Sequence, residues 1–281
     1  MADHNSSRYG DSVHLEKLRQ LLPGLMKTAR GIRGFLSEKE MKFLAMVAAC
    51  PTAQGVILEI GSFLGKSTSI LAAAGQLAPG TRVVAVDPLD YRPSFDPKRG
   101  KESCLEDLKA NLRLAQVEPF VEVHQMRSQE LEPLWNRDRK IRFLWIDGDH
   151  SYEGAKSDFD LFAPFLADGA IVALHDCFKH DVGPMRVLAE DLLLSKNFGA
   201  AGACGSIGWA QFRANAKDCE PFTKAKLQFY QRIVRLIPRA YLDPIEHGTN
   251  SAIYKLMRSF VPHGEMDPAN WAGQVAFCAG Q

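Results

Sequence analysis

The sequence predicts an α/β fold: a doubly wound, mostly parallel sheet with helices on both faces, extended by helices at either end. Three observations predict it. Short, fully apolar runs alternate with helical stretches between residues 56 and 174, as they do where strands are buried on both faces. The first of these runs, Val56–Ile60, ends in a glycine turn that enters an alanine-rich helix. Polar residues follow the later runs directly, with Asp87 after Val83–Val86, Asp147 after Phe143–Ile146 and His175-Asp176 after Ala170–Leu174. Open α/β sheets bind ligands at that edge.

Taken in order, residues 1–12 are polar and are expected as a disordered tail with no signal-peptide core. Residues 13–50 form an N-terminal helical extension. Leu15, Leu18, Leu21 and Leu22 recur at helical spacing, and Ser37-Glu38-Lys39-Glu40 is a capping box opening a second helix that Pro51 ends. The main domain covers 51–214. After the glycine turn come the strand Val83–Val86, a Pro-rich loop at 88–100, a helix near Lys101–Ala115, a strand near Phe120–Val123 and a short helix at Gln129–Trp135. The strand Phe143–Ile146, a helix Tyr152–Leu166 with Ala155, Phe159 and Phe162 on one face, and the strand Ala170–Leu174 complete the alternation. A further helix near Val187–Ser195 leads to β candidates near 199–203 and 207–212. Residues 215–281 are a C-terminal helical extension, broken at Pro238.

Bulk composition excludes several classes. The 281 residues are 46% hydrophobic and 24% charged with a formal net charge of +1, which leaves no basic footprint for nucleic acid. No run reaches the roughly 18 apolar residues of a membrane span. Six cysteines without Cys-x-x-Cys spacing read as reduced, buried thiols of a cytoplasmic protein.

The turn Glu59-Ile60-Gly61-Ser62-Phe63-Leu64-Gly65-Lys66-Ser67-Thr68 invites three nucleotide-type readings. A phosphate-binding loop needs four residues between its glycines, and only three separate Gly61 from Gly65. A dinucleotide loop needs a glycine where Phe63 stands. The Glu-x-Gly-x-x-x-Gly loop of S-adenosylmethionine enzymes fits unadjusted, and a glycine turn used only for packing is the plain alternative. Asp87, about twenty residues on, has the position and chemistry to accept both hydroxyls of a ribose.

Here the sequence resembles a known family. Glu59–Gly65 resembles motif I of the class I S-adenosylmethionine-dependent methyltransferases, and Asp87 resembles their ribose-binding acid. The runs Trp145-Ile146-Asp147-Gly148-Asp149-His150-Ser151-Tyr152-Glu153-Gly154 and Pro164–Asp176 are similar to a branch containing bacterial small-molecule and sugar O-methyltransferases. The resemblance covers about residues 52–213. It implies a Rossmann-like sheet of seven strands, six parallel and one an antiparallel edge strand. It implies donor contacts at Glu59, Gly61, Ser62, Phe63, Asp87, Ser128 and Asp147, with Gly65 serving close helix packing.

Asp147, Asp149 and His150 follow one strand and His175 and Asp176 the next, so the two clusters share an edge. Such a cluster suits a divalent cation such as Mg²⁺ or Mn²⁺, or a general base. The resemblance implies Asp147 and Asp176 as metal ligands and Asp149 as base. His175 stands where those relatives have an acid; it joins the candidate ligands, and His150 is a second candidate base. The structural alternatives are a helix cap at Asp149 or His150 and an internal His175–Asp176 pair. Tyr91, Arg92 and Phe95 make the 88–100 loop a candidate lid, and Trp209 and Trp271 are either pocket wall or core. The arginines Arg232, Arg235 and Arg239 read as a solvated helix face, the alternatives being membrane-surface or homodimer contact.

The expected function is methyl transfer from S-adenosylmethionine to a small-molecule acceptor, at a hydroxyl oxygen, with or without a divalent cation. The alternatives are a phosphate-loop nucleotide hydrolase and a non-catalytic S-adenosylmethionine-binding protein.

Overall fold

A computed structural model describes residues 6–90, 104–178, 182–242, 252–266, 271 and 275, with backbone only at 6–14, 241 and 242. Helix α1 (Ser6–Gly31) begins inside the segment expected as a tail. No proline interrupts the chain before Pro23, so the helix that the leucine spacing starts runs on toward the N-terminus. The helix α2 (Glu38–Ala49) opens on the expected capping box, with Ser37 N donating to Glu40 Oε2 at 2.7 Å. Then follow β1 (Val56–Ile60), α3 (Lys66–Gly75), β2 (Val83–Val86), α4 (Leu105–Leu114), β3 (Val121–His124), α5 (Ser128–Leu131) and β4 (Ile141–Ile146). The chain continues through α6 (Tyr152–Phe162), β5 (Leu166–Leu174), α7 (Gly183–Arg186), a π-helical stretch Val187–Leu193, β6 (Phe198–Cys204) and β7 (Ile207–Phe212). Beyond the sheet lie α8 (Thr223–Ile233), α9 (Ile237–Leu242) and α10 (Ala252–Ser259).

The strands form one seven-stranded sheet in the order β3-β2-β1-β4-β5-β7-β6. The expected α/β fold with its helical extensions is therefore what the chain adopts. One expectation is corrected. The antiparallel strand is not at the edge: β7 runs antiparallel between β5 and β6, and β6 is the edge. A tight turn at Gly205-Ser206 makes β6 and β7 a hairpin, and a hairpin inserts its second strand beside β5 while the first closes the sheet. Pro238 also differs from expectation. It sits at the second position of α9, where its missing N–H costs nothing, and so starts a helix rather than only breaking one.

Alternate strand residues point to opposite faces. Ile57, Val83, Phe143, Trp145, Ile171 and Ala173 pack toward the layer that contains α1, α2 and α3. Leu58, Val84, Leu144, Ile146, Val172 and Leu174 pack toward α6, the π-helical stretch and α8. Trp209 and Trp271 belong to the first of these cores, with ring centroids 5.2 Å apart and Phe43 between 6.3 and 6.5 Å away. The N-terminal extension is thus part of the main core. Cys50, Cys104, Cys177, Cys204 and Cys219 are buried and form no disulfide with one another. No described helix is long and apolar enough to cross a membrane.

Candidate functional site

The order reverses at β1, from which the chain winds outward both ways, and a cavity of about 880 Å³ opens at the carboxyl ends of these central strands. That volume lies in the usual range for a small-molecule site, ~300–1,000 Å³. Its wall includes Gly61, Ser62, Phe63, Asp87, Ser128, Asp147, Asp149 and His150, all singled out from the sequence. Glu59, His175 and Asp176 do not form part of that wall.

Local geometry explains the glycine turn. Ile60 O accepts the Asp147 amide at 2.8 Å, drawing the end of β4 against the end of β1. A Cβ on Gly61 would stand 2.1 Å from Asp147 O, and Gly61 has a φ of +90°. Close approach is therefore what Gly61 permits. Gly65 was expected to serve close helix packing; its Cβ would meet only Leu108 and Leu112 at ordinary contact, 3.6 Å and beyond. What position 65 requires is its φ of +82° at the start of α3. Lys66, the residue that suggested a phosphate loop, donates instead to Gly34 O at 3.0 Å.

Asp87 is wired into the turn. Its Oδ2 accepts the Phe63 amide at 2.8 Å and its Oδ1 the Leu89 amide at 2.7 Å. Burial raises its pKa against these two bonds. The Ser62 amide lies close to the same carboxylate, and the residue faces the cavity. Beneath the turn, Glu59 is completely buried. Burial pushes its carboxyl up to about 8 despite the nearby hydroxyls of Ser67 and Thr68. Neither Glu59 oxygen makes a hydrogen bond of good geometry, nor do Ser62 Oγ and Thr68 Oγ1. Buried polar atoms held without a well-formed hydrogen bond are costly. Of these, Ser62 Oγ belongs to a residue on the cavity wall.

The second cluster is an ion-pair chain. His175, 2% exposed, brings Nδ1 to 2.9 Å from Asp147 Oδ1 and 3.3 Å from Asp176 Oδ1. Its Nε2 faces Glu40 Oε2 at 3.9 Å. Burial opposes the imidazolium, but Asp147 outweighs it and the pKa is pushed up to about 10. Burial likewise raises Asp147, yet the His175 charge holds it below the usual carboxylate range. Glu40 is held low as well: His175, Ser206 and Ser37 together outweigh its desolvation. Asp176, at φ +54°, accepts Ser206 Oγ at 3.1 Å. The pairing of His175 is thus chiefly across strands to Asp147. On the cavity side His150 Nε2 lies 3.4 Å from the same Asp147 oxygen. The cap of α6 is Ser151, whose Oγ accepts the Gly154 amide, while Asp149 Oδ1 accepts the Ser151 amide at 2.9 Å.

Sequence reasoning missed three contributors. Arg33, Gly34, Phe35 and Leu36, between α1 and α2, form one wall of the cavity. Asp158, buried on α6, faces it and bonds Ser128. Glu40 was legible only as a capping residue, yet its second oxygen accepts both Ser206 N and Ser206 Oγ at 2.6 Å. The tail and lid expectations at 1–5 and at Tyr91, Arg92 and Phe95 lie outside the described residues, as does Cys278.

Comparison with known proteins follows the same ground. Residues 58–177 match the model of a family described as a methyltransferase domain. Among solved structures, cofactor-bound Rv0187 from MTB is 21% identical with a TM-score of 0.51, covering 70% of this chain and 91% of its own. A candidate O-methyltransferase from Klebsiella pneumoniae is 16% identical with a TM-score of 0.52, covering 70% of this chain and 90% of its own. These likenesses extend to the fold.

Proposed function

We propose that the chain is a class I S-adenosylmethionine-dependent methyltransferase that methylates a hydroxyl oxygen of a small molecule, with His150 as the base. The observation that carries this reading is the His150–Asp147 contact of 3.4 Å on the wall of the cavity that also holds Asp87 and the Gly61–Phe63 turn. A carboxylate beside an imidazole orients the ring and favours its protonated form, which is what a base needs once it has taken a proton. Asp149 is the weaker candidate because its carboxylate is already committed to the Ser151 amide.

The residues present fit the methyl donor. Asp87 offers a carboxylate on the cavity wall for ribose hydroxyls, Ser62 Oγ is a buried polar atom without a partner, and Ser128 lies on the adjoining wall. The donor, when bound, supplies a methyl group on a sulfonium that departs as a neutral thioether. The chain's own work is to hold the acceptor in line and to receive its proton. As the acceptor oxygen gains the methyl carbon, its proton passes to His150 Nδ1, the ring nitrogen that does not face Asp147, and Asp147 stabilises the imidazolium through Nε2. The His150 side chain is 25% exposed, so water can take the proton afterwards. Phe35 and Leu36 give the acceptor an apolar wall beside Arg33.

A divalent cation at Asp147, His175 and Asp176 does not fit this arrangement. Asp147 Oδ1 and His175 Nδ1 are spent on each other, and Asp176 is directed at Ser206. Among the described residues no group of three such side chains is arranged to hold a metal ion. No step is routed through a cation. The five described cysteines, buried as thiols, favour a reducing, cytoplasmic setting.

Methyl transfer from S-adenosylmethionine to a panel of phenols, sugars and hydroxy acids tests the function. Turnover in the wild type that falls at least about 100-fold in His150→Gln supports it. Donor binding without turnover on any acceptor points instead to a non-catalytic binding protein.

A further inference from the structure

The helix α10 leaves an apolar face uncovered. Ile253, Leu256 and, just past its end, Phe260 follow one another at three- and four-residue spacing, so they share one side. They are 50%, 61% and 65% exposed. On the neighbouring side Tyr254 and Val261 are buried in one core with Ile233, Leu236 and Ala240 of the preceding helices. The helix is pinned along one side and bare along the next. Scattered exposed apolar residues are ordinary, but a row of large ones marks an interaction surface.

Charge says what covers that face. Residues 223–242 and 252–260 hold seven Lys and Arg and no Asp or Glu, in a chain whose formal net charge is only +1. Lys226 is turned inward to Ser195 O and Phe198 O. Lys224, Arg232, Arg235, Arg239 and Lys255 are exposed, and Arg258 is half-buried. A second copy docked symmetrically by this surface would set these cations against their own kind. An anionic lipid surface meets both features at once, taking apolar side chains at the headgroup boundary and cations at the phosphates. The surface also lies at the edge of the sheet where the cavity opens. His263 O, shortly after α10, accepts the Gly205 amide at 3.0 Å, and Gly205 turns β6 into β7 beside the end of β5.

We propose that the C-terminal extension docks this protein peripherally on an anionic membrane surface, with Ile253, Leu256 and Phe260 entering the headgroup boundary and Arg232, Arg235 and Arg239 held at the lipid phosphates. Neither part suffices alone. Three apolar side chains bury too little area for firm attachment, and each basic residue near an anionic surface strengthens binding only about 5-fold. The proposal stands independently of the methyl-donor reading.

The test is sedimentation of the full chain with vesicles of phosphatidylcholine alone or mixed with phosphatidylglycerol, at low and at high salt. The wild type should bind the anionic vesicles at least about 10-fold more tightly than the neutral ones, and less tightly as salt is added. The triple variant Ile253→Ser, Leu256→Ser, Phe260→Ser and the triple variant Arg232→Gln, Arg235→Gln, Arg239→Gln should each lose about 10-fold or more. All six side chains are exposed, and urea midpoints check that the variants fold. If the serine triple does not fold, Phe260→Ser alone carries the apolar half, with a loss of about 3-fold or more. Equal binding to both kinds of vesicle, or to neither, overturns the proposal. A wild-type dimer that binds no vesicles and that the serine triple dissolves, seen by light scattering, overturns it by giving the face to a second copy. Vesicle binding lost in the arginine triple but kept in the serine triple overturns it too, because charge alone then adsorbs the chain.

Discussion

His175 Nδ1 stands 2.9 Å from Asp147 Oδ1, and this contact joins the buried interior of the sheet to the wall of the cavity. On one side of the imidazole lies Glu40, from the N-terminal extension; on the other, Asp147 turns toward His150. The ends of β4 and β5 are thereby fixed by a charge chain anchored in α2.

Stability should therefore depend on pH through His175. Its folded pKa lies above its ordinary value, so the stabilisation is fully present below about 6.5 and is lost as pH rises toward about 10. Urea midpoints should fall between pH 7 and 9.5 in the wild type and fall less in His175→Gln. Parallel curves for the two proteins would contradict this.

Glu40→Gln should destabilise the whole domain. It leaves the buried imidazolium facing a neutral amide and weakens the two bonds from Ser206. Breaking a buried pair in this way costs about 3–5 kcal/mol. Urea unfolding measures it; a loss below about 1 kcal/mol would place the stabilisation elsewhere.

The two glycines of the first turn should separate. Gly61→Ala forces a Cβ into the Asp147 carbonyl and should unfold the β1–β4 contact, giving a loss above about 3 kcal/mol or insoluble protein. Gly65→Ala meets open contact and carries only the left-handed penalty of about 1–2 kcal/mol. Thermal unfolding of both, showing equal losses, would remove the distinction.

His150→Gln should lower kcat by about 100-fold or more while leaving the affinity for S-adenosylhomocysteine within about 2-fold. Asp149→Asn should have the smaller effect on kcat, because its carboxylate serves the Ser151 amide. The reverse ranking in initial-rate measurements would transfer the base to Asp149.

Local pattern made much of this legible. The spacing from Glu59 to Gly65 and the distance on to Asp87 separate three loop types within thirty residues, and the apolar runs give the parallel strands directly. What stayed hidden depends on distant contacts. Glu40 and Ser206 are 166 residues apart, and nothing in a capping box announces a second partner. Asp158 sits in an amphipathic helix, where an acid reads as solvated face. The place of β7 inside the sheet follows from hairpin geometry at Gly205, which strand periodicity does not encode. The roles of Gly61 and Gly65 could be told apart only once the Asp147 carbonyl was in place.

The most direct test of the central claim is calorimetric titration of S-adenosylhomocysteine into the wild type and Asp87→Ala. One-to-one binding in the wild type, weakened by about 30-fold or more when the carboxylate is removed, is the expected result. No binding to the wild type, or equal affinity in the variant, would contradict a donor held at Asp87 in this cavity.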